Sequence, residues 1–240
     1  MTFYHGKSTK VMLGAVDVSA WLTSMGLSAD ADTADTTTFG ATWKSALSGT
    51  VAGKVDFGGL YDPDEASLPT LFLTLLPGVL SYCPTGGAAI GDPARLVSAI
   101  EVAYGESVPV GGVVAVQGSF LADGTVGFAY VLHPLAEDTN TTTGADRDDA
   151  AATQTGWTAH LHVTAVDDGS WVVKLQDAAT TDWTDVTGGA FTAATGATSQ
   201  RLQSAADTTE LRRHVRYVAT RTGGIAGDGV TFFLAYSRNR

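Results

Sequence analysis

Apolar and polar residues alternate along most of this chain with the period of two that is typical of β-strands. The clearest alternation lies at residues 50–61, where Val51, Val55 and Phe57 share one face and Lys54 and Asp56 share the other. The same pattern predicts strands over residues 9–19, 27–38, 78–83, 94–104, 112–122, 125–132, 157–166, 170–176, 215–220 and 230–237. Residues 20–26 are predicted as a short turn, and 27–38 as a strand that continues into an extended loop. The fold class is therefore predicted to be mainly β.

One segment has helical spacing instead. Residues 64–76 carry an apolar stripe formed by Leu68, Leu71, Phe72 and Leu75. The preceding Asp62-Pro63-Asp64-Glu65 supplies an N-cap, an early proline and acidic residues in the first turn, and Pro77-Gly78 would end the helix. This segment predicts one α-helix that flanks the sheet.

Residues 136–155 contain no large apolar residue, which predicts a polar linker or an exposed loop. We therefore expect a β-sandwich or barrel with its helix over residues 1–135, and a second, C-terminal β-sandwich unit over 156–240. Within the second unit, Asp167-Asp168-Gly169 is predicted to form a hairpin turn between the strands at 157–166 and 170–176.

Charge is sparse and unevenly distributed. Only 16% of the 240 residues are charged, whereas about 25% is usual, so part of the surface is expected to be buried against partners. The net charge of −11 argues against a conventional DNA-reading protein. Residues 201–240 hold seven arginines and three acidic residues, a net charge of +4, which leaves −15 for the first 200 residues. Such a chain can attract its neighbours head to tail.

Arginines cluster just before the strand predicted at 215–220. Alternation places Arg213 on one face of this segment and Arg212 and Arg216 on the other. Such a row suits ion pairs at a subunit interface or contacts with DNA phosphates, and the net charge favours the interface. Arginines that simply alternate on a solvated strand would show the same pattern.

Motifs of catalysis and cofactor binding are absent. The sequence has no Gly-x-Ser-x-Gly elbow, no phosphate-binding loop and no dinucleotide fingerprint. Cys83 is the single cysteine, so no disulfide forms within the chain, and we predict a small buried side chain there. We expect no cofactor and no enzymatic activity; a hydrolase with an unrecognised site is a third, minor hypothesis.

Two sets of side chains could bind a metal. His160 and His162 lie on one face of a predicted strand, but no third ligand is identifiable, and we favour two solvent-facing or interface histidines. Asp30, Asp32 and Asp35 have the spacing of the start of a calcium loop but lack its glycine and its distant glutamate. No metal is therefore predicted at either place.

An alternative function comes from three tryptophans of the C-terminal unit. Trp157, Trp171 and Trp183 could form a platform on which sugar rings stack, as in a carbohydrate-binding or lectin-like adhesion module. The competing interpretation, which we favour, places these side chains in a sandwich core.

Residues 14–62 carry a resemblance to a known family. The sequence VDVS at 16–19, DTTTFG at 35–40 and GKVDFGGLYD at 53–62 follow one another in this order. In this order they resemble the N-terminal part of the tail tube, or major tail, proteins of long-tailed bacteriophages. The similarity extends over about residues 9–134. Residues 166–191 are loosely similar to accessory domains of phage structural proteins and to carbohydrate-binding modules.

The resemblance implies a structural subunit that assembles into stacked hexameric rings, which enclose a conduit for DNA that passes without specific binding. It also implies partners such as the tape measure and terminator proteins, and a C-terminal unit that lies outside the tube or seals its rings. Segment 30–53 would reach the next subunit or the next ring. The candidate inter-subunit or lumen residues are Asp30, Asp32, Asp35, Phe39, Lys44, Lys54, Asp56, Arg212, Arg213 and Arg216.

The apolar runs of the sequence allow a prediction of where the protein is located. The first ten residues lack the apolar core of a signal peptide, and the run Leu71–Leu80 is broken by Thr74, Pro77 and Gly78. We expect a protein without a membrane anchor that is made in the cytoplasm of a host bacterium and becomes part of the tail of the virion.

Overall fold

A computed structural model describes residues 5–40, 42–62, 77–225 and 227–239. Antiparallel β-sheet dominates these ranges, which confirms the mainly β prediction, and their helical structure is a 3-10 turn at Gly6–Ser8. The helix predicted at 64–76 lies outside the described residues. The strands are β1 (Lys10–Leu13), β2 (Val16–Asp17), β3 (Leu22–Asp35), β4 (Ala46–Leu60), β5 (Pro77–Cys83), β6 (Pro93–Ser107), β7 (Ala115–Ala122), β8 (Gly127–Asp138), β9 (Thr142–Thr143), β10 (Arg147–Asp148), β11 (Trp157–Val166), β12 (Ser170–Ala178), β13 (Thr184–Ala190), β14 (Thr198–Gln203), β15 (His214–Thr222) and β16 (Val230–Arg238).

The first part of the chain differs from its prediction in two places. The strand predicted at 9–19 is a hairpin of β1 and β2, because Gly14 turns the chain with a φ of +58° that glycine adopts without steric cost. The turn predicted at 20–26 and the loop predicted after it are instead one long strand, β3. Cross-strand pairing with β4 outweighs the weak local turn signals there.

The described residues form two compact units. Unit 1 consists of the residues up to Ala20, Gly78–Ser98 and the residues from Val126 onward, and unit 2 consists of Trp21–Pro77 and Ala99–Thr125. These units do not follow the division predicted at 136–155. In that segment β8 continues to Asp138, and β9 and β10 pair with β15 inside unit 1. A lack of large apolar residues can indicate a linker, but in this segment it accompanies short edge strands.

Unit 1 contains a β-sandwich. One sheet includes the neighbours β14, β11, β16 and β8, and the other has the order β10-β15-β12-β13, with β9 also on β15. Their facing sides bury a shared core, in which the largest side chains are Trp157, Trp171, Phe232 and Tyr236. Burial of this apolar area is the main source of stability for the sandwich.

The Asp167-Asp168-Gly169 turn does not form the predicted hairpin. The strand before it, β11, pairs with β14 and β16, whereas the strand after it, β12, pairs with β13 and β15 in the other sheet. Gly169 makes the reversal with a φ of +81°. The turn signal specifies a chain reversal and not the sheet in which the next strand pairs.

Strand β16 is buried on both faces. Phe232, Leu234 and Tyr236 point into the sandwich core, while Phe233 and Ala235 belong to a second core. That second core also contains Met12 from β1, Leu96 from β6 and Cys83 from β5, whose side chain is fully buried as predicted. The sheet therefore carries apolar cores on both sides in this part of unit 1.

Unit 2 is a four-stranded antiparallel sheet. Its order is β3-β4-β7 followed by the second half of β6. Alternation on β4 and β7 produces one apolar face, where Val55, Phe57, Val116 and Phe120 are buried. The rings of Phe57 and Phe120 pack edge to face at 5.4 Å between centroids. On the opposite face, β4 carries Lys54 and Asp56, as the alternation at 50–61 predicts, beside the exposed Leu121 of β7 and Ile100 of β6. We call this face the polar face.

Candidate assembly surfaces

The outer end of the β3–β4 hairpin projects from the sheet of unit 2. Strand β4 pairs with β7 from Lys54 to Leu60, whereas its residues 46–53 pair with β3 alone. Residues 29–52, which we call the arm, are exposed at each described position. Two-stranded ribbons are marginal in isolation. The arm is therefore a segment that neighbouring protein would stabilise.

Large apolar side chains concentrate on the arm. Phe39 and Trp43 near its tip have relative exposures of 110% and 87%, and Leu47 and Val51 on β4 exceed 60%. The lysine of the tip, Lys44, is exposed as well. Large apolar side chains that are exposed on one segment are typical of protein contact surfaces.

Two of the arm's three acidic residues, Asp30 and Asp32, lie on one face with the predicted charged pair of β4. Asp30 stands opposite Ala52, and Asp32 accepts a hydrogen bond from the hydroxyl of Thr50 at 3.3 Å. By alternation, Ala52 and Thr50 share the face of Lys54 and Asp56. The structure therefore brings Asp30, Asp32, Lys54 and Asp56 together on the polar face.

Asp35 has a local role at the start of the arm's tip. Its carboxylate accepts a hydrogen bond from the backbone N–H of Thr37 at 2.8 Å. Hydrogen bonds from the Thr37 side chain and backbone hold the pKa of Asp35 below its usual value. This arrangement is an Asx turn, which fixes the chain direction before Phe39.

The pair Lys54 and Asp56 is anchored to β7. Lys54 Nζ lies 2.8 Å from the Asp56 carboxylate, which also accepts a hydrogen bond from the Ser119 hydroxyl. The bond to Lys54, followed by that to Ser119, lowers the pKa of Asp56. Because Lys54 is engaged by Asp56, it leaves Asp30 and Asp32 without a cationic partner among the described residues.

The three predicted arginines make contacts within unit 1. Arg212 contacts Asp177 at 2.8 Å and Asp182 at 2.6 Å, and Arg213 pairs with Asp148. The guanidinium of Arg216 donates hydrogen bonds to the side-chain carbonyl of Gln176 and lies 4.0 Å from the ring centroid of Trp183. These contacts organise the outer side of the sandwich; the predicted interface role of the three arginines stays a prediction.

The tryptophan platform is not formed. Trp157 and Trp171 are fully buried in the sandwich core, and Trp183 is partly covered by Arg216. The interpretation of a sandwich core is therefore confirmed for Trp157 and Trp171. Alternation along β11 and β12 places these two side chains on the inward face of their strands.

The predicted exposure of His160 and His162 is wrong, because both are fully buried. His162 Nδ1 lies 2.6 Å from the carbonyl of Gly14, and its Nε2 lies 2.8 Å from the hydroxyl of Ser81. His160 Nδ1 lies 3.2 Å from both that hydroxyl and the carbonyl of Leu80. Both imidazoles can therefore donate from Nδ1 to a carbonyl while the Ser81 hydroxyl donates to His162.

Burial determines the charge of this histidine cluster. Desolvation lowers the pKa of His162 to about 4 and that of His160 well below its usual value. The two rings are thus neutral at neutral pH. No cluster of three or more His, Cys, Asp or Glu side chains able to hold a metal occurs in the described parts of the chain. The cluster joins β11 to β1 and β5.

A further surface was not singled out by the sequence analysis. On β8, Phe128 and Tyr130 are exposed on one face, and each carries an arginine over its ring. Arg95 lies 4.3 Å from the centroid of Phe128, and Arg147 lies 3.6 Å from that of Tyr130. The sequence feature that could have indicated this surface is a pair of aromatic residues at positions i and i+2 of a predicted strand. The arginines come from β6 and β10, which only the fold brings close.

Comparison with known proteins gives structural similarity alone. No protein-family model matches the chain, and no curated protein sequence matches it. The chain is similar to the tail of an empty gene transfer agent particle (12% identity, TM-score 0.41, covering 52% of this chain and 98% of the other). It is also similar to the phage SPP1 tail tube (13% identity, TM-score 0.42, covering 51% of this chain and 77% of the other). A third similar structure is the SPP1 Dit protein of the hub adsorption apparatus (11% identity, TM-score 0.37, covering 95% of this chain and 98% of the other). Among the described helical residues, none forms a span long and apolar enough to cross a membrane.

Proposed function

We propose that this protein is a structural subunit of a phage tail tube, which assembles into stacked hexameric rings around a conduit for DNA. The observation that carries the proposal is the arm, a 24-residue hairpin end whose described residues are all exposed and which presents Phe39 and Trp43 to solvent. A lone monomer gains nothing from this surface, whereas a neighbouring subunit can bury it.

The free edge of unit 2 supports self-assembly. Strand β3 pairs with β4 and with no other strand of the described chain, so 14 residues present one row of unpaired backbone groups. Long open edges are normally blunted or paired. In a ring, a strand from the next subunit satisfies this edge, and closure of the ring removes every such edge.

Charge on the polar face fits passage of DNA. Asp30 and Asp56 lie on this face with one lysine, Lys54. If the face lines the lumen, its excess of carboxylates repels phosphates, and the DNA moves without binding. Tape measure and terminator proteins, and a location in the virion tail, belong to the same proposal. The carbohydrate-binding alternative has no comparable support after burial of Trp157 and Trp171.

Negative-stain electron microscopy and mass photometry of the purified chain test the proposal. We expect rings or tubes of uniform diameter, and we expect the variant Phe39→Ser/Trp43→Ser to remain monomeric with an unchanged far-UV circular dichroism spectrum. The matched control is Ile225→Ser in unit 1, which removes another exposed apolar side chain and should assemble normally. Monodisperse monomers at all concentrations that bind glycans would contradict the proposal.

A further inference from the structure

We infer that the arm of one copy is received by a surface on unit 1 of a neighbouring copy, formed by Ile90, Arg95, Phe128, Tyr130 and Arg147. This inference rests on the proposed self-assembly and names the surface involved. We call these five residues the aromatic–arginine patch. They lie on β6, β8, β10 and the segment before β6, within one compact unit.

The patch is a continuous surface. Arg95 stands opposite Phe128 across the β6–β8 pairing and covers its ring, and Tyr130 follows two residues along the same face of β8. Arg147 covers the ring of Tyr130. The backbone N–H of Gly91 donates to the carbonyl oxygen of Val131 at 2.8 Å, which holds the neighbouring Ile90 beside the Tyr130 end of the patch.

Gly91 also shows how closely Arg147 is held. Its φ is +89°, and a β-carbon at this position would lie 2.8 Å from Nη1 of Arg147. Glycine therefore lets the guanidinium sit between the loop and Tyr130. Arg147 is further fixed by an ion pair with the buried Asp149 at 2.7 Å. Asp149 also pairs with Arg238, so the two guanidiniums share one carboxylate, and Arg147 is held in place at this end of the patch.

The other end of the patch is formed by Arg95 and Phe128. Arg95 donates to its own neighbour, the carbonyl of Ala94, at 2.9 Å, and makes no ion pair within the described residues. Phe128 beneath it has a relative exposure of 55%. A guanidinium stacked on an aromatic ring is preorganised to meet a carboxylate, because its donors point along the ring plane.

The arm has the complementary arrangement. Asp30 and Asp32 near its base make no ion pair with described residues, whereas its tip carries Phe39 and Trp43. From Asp32 to Asp35, where β3 ends, is roughly 10 Å at the usual rise of a strand, and Phe128 and Tyr130 lie roughly 7 Å apart along β8. Asp32 can therefore meet Arg95 while the tip, beyond Asp35, covers Tyr130 and Ile90.

Charge exchange tests the pairing on the assembling full chain. We expect Arg95→Glu and Asp32→Arg each to raise the concentration for half-maximal assembly by at least about tenfold, and the combination of both substitutions to restore much of the loss. The matched control, Asp207→Arg, reverses an exposed acid elsewhere in unit 1 and should leave assembly unchanged. Circular dichroism and thermal unfolding of each variant establish that the monomer remains folded.

Crosslinking tests the position of the tip. Because Cys83 is fully buried, engineered cysteines are the reactive thiols. We expect copies that carry Trp43→Cys, mixed with differently tagged copies that carry Ile90→Cys, to form an intermolecular disulfide in assembled material. Thr195→Cys, at another exposed position of unit 1, should not crosslink.

The two tests separate the inference from the proposed function. Normal assembly of Arg95→Glu together with absence of the Trp43–Ile90 crosslink would overturn the patch as the receiving surface and leave self-assembly intact. A parent chain that stays monomeric under every condition would overturn the proposed function and the inference with it.

Discussion

The imidazole of His162 lies 2.6 Å from the carbonyl oxygen of Gly14, which is 148 residues earlier in the chain. This contact connects β11 to the β1–β2 turn, and the hydrogen bond between the Ser81 hydroxyl and His162 connects β11 to β5. A polar side chain that is fully buried is stable only when its donors and acceptors are paired. His162 is therefore a structural residue that holds the second core of unit 1 closed.

Removal of His162 should destabilise unit 1. The variant His162→Ala leaves the Gly14 carbonyl and the Ser81 hydroxyl without their partner and creates a cavity, so we expect the free energy of unfolding to fall by about 2–4 kcal/mol. Chemical denaturation monitored by circular dichroism measures this change. The control is His5→Ala at the exposed N-terminal turn, for which we expect an unchanged midpoint. Equal midpoints for both variants would contradict the role of His162.

The same cluster predicts the dependence of stability on pH. In the unfolded chain the pKa of His162 is about 6.5, whereas in the folded chain it is about 4. Between these values the unfolded state binds more protons, so the free energy of unfolding should decrease as the pH falls, by up to about 1.4 kcal/mol per pH unit for each such histidine. The lowered pKa of His160 acts in the same direction.

Denaturation series at pH 7.5, 6.5, 5.5 and 4.5 check this expectation. The variant His162→Gln, which cannot be protonated, should show a smaller slope over this window. Carboxylates with lowered pKa values, such as Asp148 beside Arg213, lose their contribution only below about pH 3.8 and do not obscure the measurement. A slope identical to that of the parent protein would show that His162 is not the titrating group.

The histidine cluster also shows what the sequence can and cannot predict. Alternation at 157–166 located β11 to the residue, but it could not show that both faces of this strand are covered. The second cover comes from β1 and β5, which are far away in sequence and pair with each other by topology. Local periodicity contains no information on such pairing. The exposed role assigned to His160 and His162 was wrong for that reason.

The candidate site was predictable to a similar extent. Period-two alternation placed Lys54 and Asp56 on one face of β4, and Asp30 and Asp32 of the arm lie on the same face. The aromatic–arginine patch was not predictable, because its arginines lie on strands that do not adjoin β8 in sequence. The contacts of Arg212 with Asp177 and Asp182 depend in the same way on the meeting of distant loops.

Arg212 should matter for stability and Arg213 should not. The Asp177 side chain is largely buried and accepts hydrogen bonds from both the backbone N–H and the guanidinium of Arg212. Because Arg212→Ala leaves this carboxylate without its cation, we expect the free energy of unfolding to fall by about 2–4 kcal/mol. Thermal and chemical unfolding of the purified variants provide the measurement.

Arg213→Ala is the matched control, since Arg213 pairs with Asp148 in solvent, where ion pairs are screened. We expect its unfolding midpoint to equal that of the parent. Mass photometry of this variant then tests the predicted interface role directly, because any loss of assembly cannot arise from a loss of stability. A stable Arg212→Ala variant would contradict the structural role of the Asp177 contact.

Gly144 tests whether residues 136–155 belong to the sandwich or link two domains. The residue donates its backbone N–H to the carbonyl of Tyr217, and a β-carbon there would lie 2.0 Å from Cε1 of the Tyr217 ring. That ring is buried in the core beside Phe232 and cannot move aside. We expect Gly144→Ala to lower the free energy of unfolding by about 1–3 kcal/mol. Gly196→Ala is the control, because its added methyl group meets no atom within 4 Å. A flexible linker would accept both substitutions equally. Equal unfolding midpoints for the two variants would therefore support the linker interpretation and contradict the assignment of this segment to unit 1.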